Sequence, residues 1–413
     1  MERTPAVILS GNITEPSPGW SLNEAALALT RSLGRRGVPV HRFHPDRSLA
    51  DLRSRYSIHS VCPNLYDRPL DLVEMLLDFA GKAAARPVLF PSSDGSARFI
   101  ASNEGLLGAD FVLTCPSAAC MAMTQNKQAL LNAAMAAGIK VPETYFPASV
   151  SDIEAVSHSV PFPAILKPLH SSDWKSSKVQ AALGHVKALR VENAQQLIHF
   201  GGLVLSLSTP FMVQEIVSGP DDNLLTFIGY VGRDGRVLAG CVRKKLRQTP
   251  PGFGYCALTD TVHSPEIVEL STQLLKALDY RGVACIEFKR DERTGDARLI
   301  EINTRAVRTS AISGAAGVDF PWIAYQDSVN PGSVQPVLTY KVPVRWIHAY
   351  DELASAGALM LRRKLSVFEW LRGFRGKPVV LAEFSWDDML PAVLYWSKAP
   401  AKLFRRLWRR KPS

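Results

Sequence analysis

The chain has 413 residues, of which 46% are hydrophobic and 21% charged, values typical of a globular protein with two or three domains. Its net charge is +10, but six of these charges come from the last thirteen residues, which argues against nucleic-acid binding by the whole protein. Six cysteines occur without a CxxC pair, so we expect reduced, buried thiols. The apolar run in "MERTPAVILSGN" is too short for a signal peptide, and no apolar run reaches 18 residues, so we expect a cytoplasmic protein.

The first 120 residues alternate strand-like and helix-like patterns. The stretches "AVILSG", "NEAALALTRSLGRRG" and "VPVHRF" are typical of strand, helix and strand, with Gly37 ending the helix. The alternation returns in "LDLVEMLLDFAGKAAA" and "PVLFPSS", which predicts a small parallel α/β domain. The chain contains neither GxGxxG nor GxxxxGK[ST], so no nucleotide fingerprint supports this domain.

An alanine-rich helix is predicted in "TQNKQALLNAAMAAGIKVP". Thr124 is the expected N-cap, and Gly138 follows the end of the helix. Lys127 lies in the first turn, where the helix dipole disfavours a cation by about 0.3–1 kcal/mol and no acidic residue offsets it. A bound anion would explain this position, and an exposed lysine is the simpler alternative.

The next section combines antiparallel strand patterns with helices and is α+β in character. A buried strand in "FPAILKP" ends at Lys167 and Pro168, before the loop "LHSSDWKSSKV". Further on, "FMVQEIVSGPDDNLLTFIGYV" predicts a strand, a polar turn with Asp221 and Asp222, and another strand.

Two strand patterns, at 283–289 and 297–303, flank "RDERTGD" and predict a hairpin. Folding the hairpin about Thr294 places Glu287 opposite Glu301. Side-chain alternation predicts a polar face of Cys285, Glu287, Leu299, Glu301 and Asn303, and a core face of Ile286, Phe288, Ile300 and Ile302.

Facing carboxylates destabilise a sheet by up to about 1 kcal/mol, so the Glu287–Glu301 repulsion should be offset. Solvent with Lys289 and Arg290 could offset it, and so could a divalent cation bound between the carboxylates. Asn303 favours the cation, because it adds a neutral oxygen to the all-oxygen ligand set that suits Mg²⁺.

The motifs "NK" opening a helix, "ILKP" ending a strand, "VQEIVSGPD", "CIEF" and "LIEINTR" together resemble the ATP-grasp superfamily over about residues 110–330. The stretches "RKKLRQTPPGFGYCAL" and "GVDFPWIAYQD" resemble one bacterial branch of carboxylate-amine ligases. The resemblance implies a mixed α/β and α+β architecture. Residues 1–120 would form a parallel α/β (pre-ATP-grasp) domain, residues 121–330 a two-lobed ATP-grasp domain, and residues 331–413 a mostly helical extension with a basic amphipathic tail.

The same resemblance implies that ATP lies between two lobes and is accompanied by Mg²⁺, with Mn²⁺ as an alternative. The implied nucleotide-binding residues are Lys127 and Lys167 for the phosphates, Gln214, Glu215 and Val217 around adenine, and Asp221, or Asp222 beside it, for the ribose. The implied metal ligands are Glu287, Glu301 and Asn303. Arg305 would hold the acceptor carboxylate or the phosphoryl group in flight.

One loop departs from the family pattern. The loop over the phosphates is usually rich in glycine because backbone amides approach the phosphate oxygens closely, but "HSSDWKSSKVQAALGHVK" contains only Gly184. Donors and charge could come instead from Ser171, Ser172, Ser176, Ser177, Lys175 and Lys178. In the simpler alternative, these two lysines are solvated.

The implied reaction joins a carboxylate to an amine through an acyl phosphate and releases ADP and phosphate. The oxyanion of the tetrahedral intermediate needs a cation, for which Arg305 is the first candidate and Lys245 and Arg247 are the next. The alternatives are an ATP-grasp enzyme that uses bicarbonate or a thiol, and a non-catalytic nucleotide-binding scaffold or regulatory protein.

Several further expectations concern substrates and surfaces. Arg308, Ser310 and Ser313 form a capped loop or line the acceptor pocket. The partners would be small-molecule carboxylates and amines and no nucleic acid, and the resemblance allows a homodimer. Residues 401–413 place apolar side chains on one side of a helix and arginines on the other, which suits peripheral contact with the inner face of the cell membrane or packing against the protein's own domain.

Overall fold

The structure is a computed structural model that describes residues 3–11, 21–169, 173–184, 186, 188–249 and 254–397. The basic tail at 401–413 lies outside the described residues, as do Ser171, Ser172 and the side chain of Lys175.

Within these ranges the strands are β1 (Ala6–Leu9), β2 (Val40–His44), β3 (Ser57–Val61), β4 (Val88–Pro91), β5 (Val112–Leu113), β6 (Thr144–Tyr145), β7 (Ala164–Pro168), β8 (Leu189–Val191), β9 (Phe211–Glu215), β10 (Leu224–Val231), β11 (Val237–Thr249), β12 (Tyr255–Thr261), β13 (Gly282–Arg290), β14 (Ala297–Asn303), β15 (Arg345–Ile347) and β16 (Val379–Leu381).

The helices are α1 (Glu24–Gly34), α2 (Pro69–Lys82), α3 (Asp94–Ser102), α4 (Glu104–Leu107), α5 (Ala118–Gln125), α6 (Lys127–Ala136), α7 (Val150–Ser159), α8 (Ser177–Leu183), α9 (Ala194–Ser206), α10 (Pro265–Ala277), α11 (Ala311–Ala315), α12 (Phe320–Val329), α13 (Ala349–Leu361), α14 (Val367–Arg372) and α15 (Leu390–Ser397). No helix among the described residues is both long enough and apolar enough to cross a membrane.

Contacts between residues divide the chain into two compact units, each built from separate stretches of sequence. The first unit consists of residues 1–121, 224–287 and 302–413, and the second of residues 122–223 and 288–301. The division by sequence into residues 1–120, 121–330 and 331–413 stays a prediction.

The first unit begins with a parallel sheet whose strand order is β3-β2-β1-β4-β5. Helix α1 follows β1 and is capped by Asn23, whose side-chain oxygen accepts from the backbone N–H of Ala26 at 3.0 Å. Gly37, with a φ of +73°, lies just beyond this helix, where a left-handed residue turns the chain into β2. The predicted parallel α/β domain is confirmed.

A larger sheet has the strand order β14-β13-β10-β11-β12-β15-β16. Strands β10, β11, β12 and β15 pair in antiparallel fashion, and β16 joins β15 in parallel. The described region after residue 330 contains the predicted helices, α13, α14 and α15, and it also supplies β15 and β16. These two strands have three residues each, too few for an alternating pattern to be recognised in the sequence.

One apolar cluster in the first unit joins residues of β1, β2 and β4 to residues of β10–β13 and to α1, α11 and α12. Val283, Ala306, Phe320 and Trp346 belong to this cluster. All six cysteines are buried and free of disulfide bonds, which confirms the expectation from their spacing. Burial raises the pKa of the Cys285 thiol to about 12, so this thiol stays protonated and packs as a small apolar group.

The second unit contains an antiparallel sheet with the order β6-β9-β7-β8, covered by α7 and α9 and by its own apolar cluster. Helix α6 begins at Lys127, and its N-cap is Asn126, whose side-chain oxygen accepts from the backbone N–H groups of Gln128 and Ala129. The prediction of Thr124 as N-cap was wrong, because Thr124 lies in the preceding helix α5. Gly138 follows the helix with a φ of +76°, as expected.

Strands β13 and β14 are neighbours in the large sheet, so the predicted hairpin is confirmed. Its core face is confirmed for Ile286, Phe288 and Ile302, which are buried. The prediction was wrong for Leu299, which is fully buried, and for Ile300, which is half-buried. The backbone N–H of Leu299 donates to the carbonyl of Lys140 at 2.9 Å, so the outer edge of β14 is covered and strict alternation of buried and exposed side chains is lost.

Candidate active site

Two lysines predicted to bind phosphate lie close together in the second unit. Lys127 opens α6 and donates to the carbonyl of Pro168, while Lys167, near the end of β7, donates to Oε1 of Gln214 at 3.1 Å. Burial and the neighbouring charge of Lys167 lower the pKa of Lys127 to about 8, against an opposite effect of Glu301 and Asp173. Binding of an anion next to this half-buried pair of lysines would therefore be favourable.

The predicted adenine segment is the end of β9. The Gln214 side chain is buried and also donates to Oγ1 of Thr144 at 2.9 Å, and the Glu215 carboxylate forms an ion pair with Arg298. The backbone N–H of Glu215 donates to the carbonyl of Glu143 at 2.9 Å. These contacts give both side chains a framework role and fix the backbone of the strand end.

The remaining predicted nucleotide residues follow β9 in the second unit. Val217 is 3% exposed, so its side chain packs inside the unit. Asp221 and Asp222 are half-buried and form a 3₁₀ turn that ends at Asn223. In the serine-rich loop, Ser176 caps α8 by accepting from the backbone N–H of Val179 at 3.4 Å, and Lys178 is exposed, as in the solvated alternative.

In the first unit, Lys245 of β11 and Glu287 of β13 form an ion pair of 2.9 Å, with side chains 9% and 15% exposed. Arg247 is bound elsewhere, since its Nε lies 2.9 Å and 3.0 Å from the two carboxylate oxygens of Glu352, whose side chain is 2% exposed. Register shifts in the β11–β12 pairing flank Arg247, and such irregularities are not visible in a sequence pattern. The structure therefore brings Lys245, but not Arg247, to Glu287.

Arg305 follows β14 and forms a two-pronged ion pair with Asp94, at 2.8 Å from Nε to Oδ1 and 2.9 Å from Nη2 to Oδ2. Its Nη2 also lies 3.5 Å from Oδ1 of Asn303. Sequence reasoning missed Asp94. A signal was present, because Asp94 comes directly after β4 in "PSSDGS", and polar residues at the carboxyl ends of parallel strands commonly face a ligand.

The predicted metal ligands are divided between the units, with Glu287 and Asn303 in the first and Glu301 in the second. Among the described residues, no three His, Cys, Asp or Glu side chains are grouped as metal ligands. The predicted set has two carboxylates and one amide, and hard oxygens of this kind fit Mg²⁺. Glu301 is exposed and Glu287 and Asn303 are half-buried, so side-chain burial does not exclude them as ligands. The facing of Glu287 and Glu301 stays a prediction.

Arg308 belongs to a buried charge network in the first unit. Its Nη2 lies 2.8 Å from Glu24 and 3.0 Å from Asp351, and Nε2 of His348 lies 3.1 Å from Glu24. Although burial alone would raise it, the pKa of Glu24 is lowered to about 2 by Arg308 and His348. Burial acts to lower the pKa of His348, but the hydrogen bond and charge of Glu24, together with the charge of Glu383, outweigh it and raise this pKa.

The neighbouring serines fit the capped loop. Oγ of Ser310 accepts from the backbone N–H of Val307 at 2.9 Å, and Ser313 donates to the carbonyl of Ser310 at 2.9 Å. Arg308 and Ser310 also line a cavity of about 630 Å³ in the first unit. The alternative that they line an acceptor pocket therefore stays open for these two residues.

Solved structures of a ligase and a synthetase share this fold, with its parallel α/β sheet and its separate antiparallel sheet that carries Lys167. An L-amino acid ligase from Bacillus licheniformis matches with a TM-score of 0.56 and 15% identity, over 82% of this chain and 78% of that one. An N5-carboxyaminoimidazole synthetase from Staphylococcus aureus, complexed with ADP, matches with a TM-score of 0.62 and 13% identity, over 87% of this chain and 86% of that one.

Sequence comparison agrees with the fold. Residues 210–350 match a family model described as "ATP-grasp in the biosynthetic pathway with Ter operon". The D-aspartate ligase of Enterococcus faecium is 26% identical over 172 residues, which are 41% of this chain and 40% of the relative. The matched part thus spans two fifths of that relative's own length. Over residues 210–350, the family match agrees with the ATP-grasp resemblance of the sequence motifs.

Proposed function

We propose that the protein is an ATP-dependent ligase that joins a carboxylate to an amine through an acyl phosphate and releases ADP and phosphate. The observation that carries the proposal is the half-buried pair Lys127 and Lys167, in which the pKa of Lys127 is lowered to about 8 by burial and by the charge of Lys167. Such a pair is poised for a polyanion. The similarity to a D-aspartate ligase supports the same reaction class.

The nucleotide would be held by residues of the second unit. Lys127 and Lys167 would bind the phosphates, and Asp221, or Asp222 beside it, would bind the ribose hydroxyls. Gln214, Glu215 and Val217 would flank adenine, chiefly through the backbone, because the Gln214 and Glu215 side chains already bind Thr144, Lys167 and Arg298.

Mg²⁺, or Mn²⁺ in its place, would be held by Glu287, Glu301 and Asn303. When bound, this ion would supply charge neutralisation at the phosphate oxygens during transfer. Lys245 orients the Glu287 carboxylate through their 2.9 Å ion pair. Loss of Glu287 would leave the buried Lys245 ammonium without this carboxylate partner.

Cations of the first unit would act on the acyl group. Arg305 would hold the reacting carboxylate or the oxyanion of the tetrahedral intermediate, and Asp94 fixes the orientation of its guanidinium. Lys245 is the second candidate for this role. Arg247 is the weakest of the three candidates, because its guanidinium is taken up by Glu352. The substrates would be small molecules, and the reaction would take place in the cytoplasm.

Release of ADP and phosphate, measured over a panel of carboxylic acids with and without amines, tests the proposal. We expect acid-dependent ADP release, and hydroxylamine should trap the activated acyl group as a hydroxamate. The test variant is Lys127→Met, which should lose ADP release. Its matched control is Lys178→Met, which changes an exposed lysine of the same unit. Tight Mg²⁺-dependent ATP binding without turnover of any acid would favour the scaffold instead. ADP release that depends on bicarbonate, without any added carboxylic acid, would favour the bicarbonate alternative.

A further inference from the structure

Arg243 of β11 carries a buried charge that forms no ion pair with a carboxylate among the described residues. Arg243 is 5% exposed. Its only side-chain hydrogen bond among the described residues runs from Nη1 to Sγ of Cys256, at 3.7 Å. Nε of Arg243 has no hydrogen-bond partner in the described part of the chain. A thiol whose pKa is raised by burial supplies no negative charge to balance the guanidinium.

The other buried arginines of the described residues are all paired with carboxylates. They are Arg31 with Asp388, Arg42 with Asp51, and Arg345 with Asp260. This pattern is the ordinary one, because a buried charge without a partner is strongly unfavourable. Arg243 is therefore an exception that a bound anion would explain.

A second unsatisfied polar group lies next to Arg243. Thr226 of β10 is its direct partner across the antiparallel pairing, so both side chains point to the same face of the sheet. Thr226 is 3% exposed, and its Oγ1 has no hydrogen-bond partner among the described residues. A guanidinium and a hydroxyl side by side are suitable donors for one carboxylate.

The position of Arg243 relates this pair to the proposed reaction centre. Lys245, bound to Glu287, lies two residues further along β11 and therefore on the same face, about 6.7 Å away along the strand. The pairing of β11 with β12 is regular from Arg243 to Lys245, and its pairing with β10 is regular at Arg243 and Lys244. A molecule with one carboxylate near Lys245 and another near Arg243 would have a short spacer between them.

We propose that Arg243 and Thr226 bind a second carboxylate of the acid substrate, which makes the substrate a short dicarboxylic acid or an amino acid with two carboxylates. This inference rests on the proposed ligase function and names its substrate class. The carboxylate bound by Arg243 is the one that is not activated. It balances the guanidinium charge only while the substrate is bound.

The test compares acids with their half-amides, which keep one carboxylate and lose the other. Succinate is compared with succinamate, and aspartate with asparagine, in ADP release by wild type, Arg243→Met and Thr226→Val. In wild type we expect KM to be at least about 30-fold lower for the diacids. Arg243→Met should raise the KM of the diacids about 10–100-fold, with the KM of ATP changed less than about threefold, and Arg243→Lys should restore part of the affinity.

The thermal melting temperature gives a readout that is independent of activity. Since Arg243 has no counter-ion in the described part of the chain, Arg243→Met should leave the Tm of the free protein unchanged or raise it, and should abolish the Tm increase caused by succinate. The matched control is Arg345→Met, equally buried but paired with Asp260. It should lower Tm because it removes both Arg345 hydrogen bonds to Asp260 and leaves Lys377 as the remaining ion-pair partner of this carboxylate. An Arg243→Met protein that loses as much Tm as Arg345→Met would overturn the inference.

The outcomes separate this inference from the proposed function. Equal turnover of succinate and succinamate, unaffected by Arg243→Met, would refute the dicarboxylate site while leaving the ligase intact. Absence of ADP release with every acid, together with no succinate-induced Tm increase, would refute both. A succinate-induced Tm increase that Arg243→Met abolishes would support the site even in the absence of turnover.

Discussion

The lowered pKa of Lys127 predicts that nucleotide affinity depends on pH in a specific direction. A lysine with a pKa of about 8 in the free protein is charged below pH 8 and neutral above it. A bound phosphate places negative charge beside Lys127 and favours its protonated form. The pKa of Lys127 in the complex should therefore be near its ordinary value of about 10.5. Affinity should therefore be full below pH 8 and fall as pH rises through 8.

The size of the effect follows from these two values. At pH 7 about nine tenths of the free protein carries a charged Lys127, whereas at pH 9 only about one tenth does. Because the complex stays protonated over this range, the Kd of the nucleotide should rise about tenfold between pH 7 and pH 9. Above pH 9 it should rise a further tenfold or so per pH unit, until the pKa of the complex is reached.

The assay is the Kd of a nonhydrolysable ATP analogue with Mg²⁺, titrated at pH 7, 8 and 9. Lys127→Arg is the control, because an arginine at this position stays charged throughout and its Kd should be nearly constant. The reasoning is refuted if the wild-type Kd changes less than about twofold over this range, or if Lys127→Arg shows the same rise as wild type.

Three further predictions concern the other groups. Glu301→Gln and Asn303→Asp should each reduce kcat about 10–100-fold with an unchanged circular dichroism spectrum, and near-normal rates would remove the proposed metal ligands. Arg305→Lys should lower kcat/KM about tenfold or more, because one ammonium cannot replace the two-pronged contact with Asp94, and full activity would contradict the proposed role. Gly282→Ala should lower the free energy of unfolding by about 1–3 kcal/mol, since φ is +101° and the new Cβ would lie 2.5 Å from the Thr114 carbonyl oxygen. The control is Gly81→Ala, whose new Cβ would have no atom within 4 Å and which should show no such loss of stability in thermal unfolding.

Much of the fold followed from local sequence patterns. The N-terminal parallel α/β sheet and the β13–β14 hairpin were predictable because the periodic spacing of apolar residues that marks helices and strands is visible within short stretches of sequence. The choice of N-cap was not, since Thr124 and Asn126 are both good caps and only the end of α5 decides between them. Alternation failed at Leu299, where a contact with Lys140, distant in sequence, covers the strand edge.

Candidate site residues that lie in short sequence motifs were predictable. Residues whose role depends on an ion pair with a partner distant in sequence were not. Lys127 and Lys167 are marked by short motifs, and the structure places them together. Arg247 had the same sequence signal as Lys245, yet its partner Glu352 lies 105 residues away in the chain. Arg243 opens the stretch "RKKLRQTPPGFGYCAL", but the sequence does not separate it from the basic residues that follow, because what distinguishes it is the lack of a carboxylate in its described surroundings.

The interleaving of the two compact units constrains how the protein can be made. Residues 122–223 lack the later stretch 288–301, which supplies Arg298 to Glu215, so no single contiguous fragment corresponds to the second unit alone. The first unit needs β15 and β16 to complete its sheet, and these leave the ribosome last. Nascent chains therefore carry an unfinished sheet edge until residues 345–381 have been synthesised, so truncations before β15 or β16 should be more damaging than the short length of these strands suggests.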